Sequence, residues 1–214
     1  MISNRTSFIH NTEQRIFFTS DTHFNHNQPF IFNARGYNSI TEHNDSLINK
    51  INELIRPQDL LFHLGDFCLN SLISEFESFI EKIHCSNIYY IWGNHNSCIK
   101  TLYEESIKLE YQKEIEVYPY KVGKITYLGF YNEILINGQL IILHHYPHQV
   151  FNGMKKESWQ LSGHSHYNNP NTRIENPMKI LDVGWDGHHK PLSFNEIQKI
   201  MSNKKFLVDT FQKT

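Results

Sequence analysis

Short apolar runs that end in polar residues alternate with amphipathic segments in the first half of the chain. Compact apolar runs of strand length cover residues 15–20, 59–64 and 88–92, and apolar side chains recur at helical spacing over residues 41–55 and 72–83. Thr41, with Asn44 and Asp45, suits the beginning of the first helix, and Pro57 suits its end. This alternation of strand and helix is typical of a layered α/β fold.

The second half of the chain is richer in strand patterns. These cover residues 124–130, 133–136, 139–143, 159–163 and 178–183, with Asn137-Gly138 as a hairpin turn signal. Residues 193–196 predict a capped terminal helix, and residues 110–124 and 151–157 are expected to be exposed loops. Because no linker rich in Pro, Gly or Ser divides the halves, we expect one domain over residues 1–214 that contains two sheets.

Composition narrows the class of protein. The 214 residues carry 20 Lys and Arg against 22 Asp and Glu, so the net charge of −2 lacks the basic footprint of a dedicated nucleic-acid binder. Residues 1–10 lack the apolar stretch of a secretory signal, and no apolar run approaches the roughly 20 residues that cross a bilayer, so we expect a cytoplasmic protein without a membrane partner. Three cysteines without a CxxC pair disfavour disulfides and thiolate zinc sites, whereas 14 histidines draw attention to metal binding.

Five polar tips follow five of the predicted strands. They are Asp21-x-His23, Gly65-Asp66, Gly93-Asn94-His95, His144-His145-Tyr146-Pro147 and Gly163-His164-Ser165-His166. In α/β folds, ligands bind beyond the carboxyl ends of the strands, and carboxylate, amide and imidazole donors suit hard to borderline divalent metals. An isolated Asp-x-His is more often an ordinary loop, but five tips in this order indicate a site. Residues i and i+2 of a strand share a face, so Asp21 with His23, and His164 with His166, are expected to converge.

In this order the tips resemble the pattern of the calcineurin-like metallophosphoesterases, D-x-H, G-D, G-N-H-[DE], H and G-H-x-H. The bacterial and phage members are also similar over residues 20–26, 63–67, 145–147 and 182–186. The resemblance implies an α/β fold, a four-layer αββα sandwich of two mixed sheets, with a dinuclear metal site at the sheet edge. It implies one divalent ion held by Asp21, His23, Asp66 and His166, and a second held by Asp66, Asn94, His145 and His164. The ions would be Mn, Fe, Zn or Ni.

The resemblance also implies roles in catalysis. A hydroxide that bridges the metals would attack the phosphorus, and His95 would protonate the departing oxygen. Asn96 departs from the family, which usually has Asp or Glu there, and this bears on the tuning of His95. Neighbouring strand residues face opposite ways, so only one of His144 and His145 should reach the metal, and the family's spacing to the proline selects His145.

Two further residues are candidates for substrate binding. Arg35 resembles the arginine of an Arg-Pro-Phe stretch in the phage-like members, and its guanidinium could hold a phosphate with two hydrogen bonds. A solvated loop arginine is an equal alternative. His26 flanks the first metal block and is expected to contact the substrate or to support a ligand.

The leading hypothesis is metal-dependent hydrolysis of a phosphate mono- or diester of a small substrate such as a nucleotide. One alternative is a nuclease or an RNA or DNA end-processing phosphatase, for which Lys155, Lys156 and Arg173 could form a local basic patch. A second alternative is a non-catalytic protein-interaction module on the same fold, which the complete set of ligands disfavours.

Overall fold

The computed structural model describes residues 5–69, 72–95, 97–111 and 118–204. The strands of these ranges are β1 (Thr6–Phe8), β2 (Ile16–Thr19), β3 (Leu60–His63), β4 (Asn87–Tyr90), β5 (Tyr120–Val122), β6 (Ile125–Tyr127), β7 (Tyr131–Ile136), β8 (Gln139–His144), β9 (Trp159–Ser162), β10 (Ile180–Asp182) and β11 (Leu192–Ser193). The helices are α1 (Pro29–Phe32), α2 (Ile40–Leu54), α3 (Ile73–Lys82), α4 (Ser97–Tyr111), α5 (Trp185–His188) and α6 (Phe194–Asn203).

Two mixed sheets organise these elements. The first has the strand order β11-β2-β3-β4-β6-β5, in which β2, β3, β4 and β6 run parallel and the two outer strands run antiparallel to their neighbours. The second has the order β1-β7-β8-β9-β10, in which only β7 and β8 pair antiparallel. The predicted α/β fold with two mixed sheets is therefore confirmed.

The alternation of side chains along β2 builds a core on each face of the first sheet. Ile16 and Phe18 cluster with Ile134 and Ile141 of the second sheet, so this core lies between the sheets. Phe17 belongs to a separate cluster that includes apolar residues of α2, α3 and α4. Because both faces are buried, β2 is an uninterrupted apolar run rather than an alternating one.

The elements differ from the sequence prediction at several points. Ser39, not Thr41, caps α2, with its hydroxyl accepting from the Glu42 N–H at 3.1 Å. The prediction of an exposed loop over residues 110–124 is wrong in part, because β5 lies there with Tyr120 buried, while residues 112–117 lie outside the described ranges. Phe151, in the other predicted loop, is also buried. Helix α4 and the edge strand β1 were not predicted.

Within the described ranges, none of the helices has the length and apolar character that a bilayer span requires.

Candidate metal centre

The carboxyl ends of strands from both sheets meet at one place. Asp21, Asp66 and Asn94 follow β2, β3 and β4 of the first sheet, and His145 and His164 follow β8 and β9 of the second. Hydrogen bonds join the sheets here: the His164 N–H donates to Asp21 Oδ2 at 2.9 Å, and His145 Nδ1 donates to the Leu64 carbonyl at 2.8 Å. Neighbouring loops thus hold the candidate donors side by side.

The candidate metal ligands are oriented by left-handed backbone conformations rather than by the pleat of a strand. Asp21, His23, Asp66, His164 and His166 have φ values of 55°, 51°, 55°, 65° and 48°. All five lie beyond the last residue of their strand. Asp21 and His23 share one candidate metal-binding group, as expected, whereas His164 and His166 do not share such a group among the described residues. The predicted cause of convergence, the two-residue alternation of a strand, is wrong.

Close approach of neighbouring atoms also requires glycine at the tips, as Gly93 and Gly163 show. A Cβ atom on Gly93 would lie 2.6 Å from the Asp66 nitrogen and closer still to Asp66 Oδ1. A Cβ atom on Gly163 would overlap Ser20 Oγ and Asp21 Oδ2. Neither glycine has a positive φ, so the requirement is for space rather than for backbone freedom.

One group of donors consists of Asp21, His23 and His166. His23 Nε2 lies 3.9 Å from Asp21 Oδ1 and 3.3 Å from His166 Nε2. His166 Nδ1 lies 2.7 Å from Asp186 Oδ2, and since a carboxylate only accepts, this nitrogen carries the hydrogen. In the neutral ring, the Nε2 lone pair of His166 is therefore free to bind a metal.

A second group lies beside the first and contains Asp21, Asp66 and His145, with Asn94 adjoining it. Asn94 Oδ1 is 2.9 Å from both His145 Nε2 and His164 Nδ1. Asp21 belongs to both groups.

Asp66 also reaches toward both groups. Its Oδ2 atom lies 3.5 Å from His145 Nε2 and 3.8 Å from His23 Nε2, while Oδ1 accepts from the His95 N–H at 2.8 Å. Both buried carboxylates, Asp21 and Asp66, are thus placed between the imidazoles of the two groups. The bridging role of Asp66 remains a prediction.

The hydrogen bonding of these donors fits divalent cations. Because His145 Nδ1 donates to a carbonyl, the Nε2 lone pair of a neutral ring would face the acceptor Asn94 Oδ1, and such a pair needs a proton or a cation between its members. The buried Asp21 Oδ1 has no hydrogen-bond partner among the described residues. A set of oxygen and imidazole donors without thiolate suits borderline divalent metals such as Mn, Fe, Zn or Ni.

Burial and charge act against each other in the pKa values of the centre. Burial raises the pKa of Asp21 to about 7, although His145 and His166 act to lower it. Burial also acts to raise the pKa of Asp66, but its bonds to His145 and to the His95 N–H outweigh that effect and hold this pKa well below its usual value. Burial acts to lower the pKa of His145, which Asp66 and Asp21 nevertheless raise. A cation that binds here therefore competes with protons.

The other predicted site residues lie around these donors. His95 is exposed, and its ring centroid is 5.8 Å from that of His23. The His26 ring lies 5.4 Å from His23, with its buried Nδ1 atom unpartnered among the described residues. His144 belongs to neither group of donors, and its Nδ1 atom accepts from the Tyr146 N–H at 3.0 Å. Asn96 lies outside the described residues.

The predicted contact between Arg35 and substrate requires correction. The side chain of Arg35 is only 1% exposed, and it bonds to Asp186, His43 and the carbonyls of Asp21 and Thr22. These contacts use all five N–H groups of the guanidinium. No donor is left for a phosphate, so Arg35 is a buried structural element of the centre rather than a substrate ligand.

Two residues of the centre were not identified from the sequence. Asp186 belongs to a stretch that resembles the family, but no role was assigned to it. His43 is fully buried on the face of α2 that also buries Leu47 and Ile51. A polar residue within that apolar face was the available signal.

Comparisons with known proteins identify a matching family model and similar chains. A family model described as calcineurin-like phosphoesterase matches residues 14–204. The uncharacterized protein MJ1445 of Methanocaldococcus jannaschii is 24% identical over 195 residues, which are 90% of this chain and 94% of that protein. A solved structure, the protein of unknown function AQ665 from Aquifex aeolicus, superposes with a TM-score of 0.59 and 20% identity over 87% of this chain and 99% of that one, and so shares the fold.

Proposed function

The chain belongs to the calcineurin-like phosphoesterase family, and from that premise we propose that it hydrolyses a phosphate mono- or diester of a small substrate, such as a nucleotide, with two divalent ions. Membership implies metal-dependent phosphoester hydrolysis. The observation that carries the proposal is the convergence of two buried carboxylates with four histidines and Asn94, drawn from five strand ends of two sheets.

The donors divide between two ions. Asp21, His23, Asp66 and His166 would hold one, and Asp66 would hold the second together with Asn94, His145 and His164. The interatomic distances support a shared Asp66, because its Oδ2 atom is within 3.8 Å of an imidazole nitrogen of each set. Asp21 also lies in both groups of donors, and the proposal assigns it to the first ion. When bound, such ions polarise phosphoryl oxygens and lower the pKa of a water molecule so that it becomes a nucleophile near neutral pH.

The proposal assigns to His95 the role of general acid for the departing oxygen. Its backbone N–H is anchored on Asp66 Oδ1, while the side chain is exposed beside His23. An imidazolium at this position would donate a proton to the departing oxygen. General acids of this kind typically contribute about 10²–10⁴-fold to the rate.

Two exposed aromatic rings support a substrate with an aromatic group. Tyr146 is 40% exposed and its ring lies 4.4 Å from that of His164. Phe30 is 68% exposed and contacts His26 on the side of the centre where His23 lies. Rings exposed to water at the margin of a polar site suit stacking on a nucleobase.

The direct test is a screen of the metal-free protein reloaded separately with Mn²⁺, Zn²⁺, Ni²⁺ or Fe²⁺. Substrates would be p-nitrophenyl phosphate, bis-p-nitrophenyl phosphate, nucleoside monophosphates, cyclic nucleotides and a single-stranded oligonucleotide. We expect turnover of a small ester that depends on the metal and is lost in the Asp66→Asn variant. Activity confined to the oligonucleotide, with affinity that falls steeply with salt, would instead favour a nuclease.

The role of His95 is tested with the His95→Ala variant. It should bind metal normally but turn over alkyl phosphates about 10²–10⁴-fold more slowly, with a much smaller loss for p-nitrophenyl esters, whose leaving group needs no proton. His84→Ala, an exposed histidine just before the amino end of β4, is the control. An equal loss with both leaving groups would argue against His95 as the acid.

A further inference from the structure

The buried guanidinium of Arg35 connects two loops that carry donors of the centre. Its Nη2 atom donates to the Asp21 carbonyl at 2.7 Å, and Nη1 donates to the Thr22 carbonyl at 2.8 Å. Its Nε and Nη2 atoms also donate to the two carboxylate oxygens of Asp186, each at 2.8 Å. Asp186 in turn accepts from His166 Nδ1 at 2.7 Å. The Arg35 guanidinium therefore connects the backbone next to His23 to the side chain of His166.

We propose that Arg35 and Asp186 are positioning residues that set the tautomer and orientation of His166 for metal binding. An ionised carboxylate can only accept, so Asp186 keeps the hydrogen of a neutral His166 on Nδ1 and directs the Nε2 lone pair toward His23. Partners of this kind fix the ring and increase the basicity of a histidine ligand.

His43 of helix α2 also contacts the Arg35 guanidinium. His43 Nδ1 lies 3.1 Å from Asn44 Oδ1, which can only accept, so in the neutral ring Nε2 is free to accept from Arg35 Nη1 at 2.9 Å. His43 is fully buried, and Asn44 also accepts from the Asn25 N–H at 3.2 Å. Each polar group in this chain of contacts has a defined donor or acceptor role.

Lysine cannot replace Arg35 in this arrangement. The two parallel bonds to Asp186 use the planar fork of the guanidinium, and three further N–H groups point at separate acceptors. An ammonium group has three donors and no planar fork. Arg35→Lys should therefore retain the charge but release Asp186, and through it His166.

A comparable pair elsewhere in the fold provides the control. Arg15 donates to Asp59 Oδ2 through Nε at 3.1 Å and Nη2 at 2.6 Å. These residues lie at the amino ends of β2 and β3, opposite to the ends that carry Asp21 and Asp66. Arg15→Lys weakens an arginine–carboxylate pair of the same fold without touching the centre.

The experiment titrates the metal-free protein with Co²⁺ and follows the visible absorption bands, which report ligand number and geometry. Arg35→Lys and Asp186→Asn should each weaken one of the two Co²⁺ sites by about 10–100-fold and change its band, while the other site changes by less than about 3-fold. Arg15→Lys should change neither site. Asp186→Asn keeps the shape of the side chain, so it tests the proposal even if Arg35→Lys does not fold.

A second measurement does not require metal or turnover. In ¹⁵N-histidine spectra of the metal-free protein, His166 should carry its hydrogen on Nδ1, and Asp186→Ala should move part of the population to the Nε2 tautomer. Unchanged Co²⁺ affinities together with an unchanged tautomer would overturn the proposal. Equal weakening of both sites in Arg35→Lys, Asp186→Asn and Arg15→Lys, in step with a lower Tm, would also overturn it, because that pattern indicates only loss of stability. Absence of any esterase activity would refute the proposed function but leave both readouts intact.

Discussion

Substitution of Gly93 by alanine should damage the centre out of proportion to its effect on the fold. The new Cβ atom would lie 2.6 Å from the backbone nitrogen of Asp66, where ordinary contact begins at 3.4 Å. A side-chain movement cannot relieve this overlap of about 0.8 Å, because the neighbouring atom belongs to the backbone. The Oδ1 atom of Asp66 would be closer still, and the His95 N–H holds it in place. We expect Asp66 to shift by roughly 1 Å, a displacement that can cost about 10²-fold in rate.

Gly138→Ala separates this effect from loss of stability. Nothing lies within 4 Å of a Cβ atom at Gly138, but the backbone has a φ of 84°, so alanine is unfavourable there for conformational reasons alone. Both variants should lose about 1–3 kcal/mol of unfolding free energy, one through overpacking and the other through backbone conformation. Only Gly93→Ala should lose metal affinity and kcat/KM.

The assay combines urea unfolding with Co²⁺ titration and turnover of the best ester from the substrate screen. If Gly93→Ala keeps its metal affinity and kcat/KM within about 3-fold of the parent protein, the close approach of Gly93 to Asp66 is not required by the centre, and the reasoning from 1 Å of displacement fails.

Three further outcomes are expected. Asp66→Asn should bind neither ion after equilibrium dialysis against Mn²⁺, because the carboxylate that it removes faces imidazoles of both groups. Full occupancy in this variant would contradict a bridging role. His145→Ala should lose metal whereas His144→Ala should keep it, as measured by metal content, and the reverse result would refute the assignment. Asp59→Asn should lower the unfolding free energy by about 2 kcal/mol at pH 7 through lost charge-assisted hydrogen bonds. Burial acts to raise the pKa of Asp59, but bonds from two arginines hold it well below its usual value, so this stabilisation is present above the unfolded pKa of about 3.9 and is lost as the pH falls below it. The difference between the parent protein and Asp59→Asn in urea unfolding should therefore narrow from pH 5 to pH 3.

The strands could be predicted because their physical signal is local. Strands β2 and β3 are buried on both faces, and such strands appear in a sequence as short apolar runs with polar ends. Helix α4 has the weaker signal of Ile99, Tyr103 and Ile107 among charged residues, and it was missed. Edge strand β1 has only three residues, two of them exposed, so its pattern carries no information about pairing with β7.

The candidate site likewise has residues that the sequence predicts and residues that it does not. The side chains proposed as metal ligands lie in short motifs at strand ends, where the order of motifs is visible in the sequence. Arg35 and Asp186 are 151 residues apart, and nothing local distinguishes a guanidinium that binds phosphate from one that binds a carboxylate of the same chain. The direction of His23 and His166 depended on left-handed backbone, which sequence spacing does not reveal for non-glycine residues.

Those left-handed residues have a consequence for the evolution of stability in this fold. Left-handed backbone at a residue other than glycine costs about 1 kcal/mol or more, and five such residues surround the centre. Glycine would relieve this conformational strain at each of them but would remove a proposed metal donor. Selection for a complete set of donors therefore opposes selection for a stable metal-free chain. Because bound ions stabilise only the folded state, cells with ample metal would tolerate destabilising mutations elsewhere in this protein that cells with scarce metal would not.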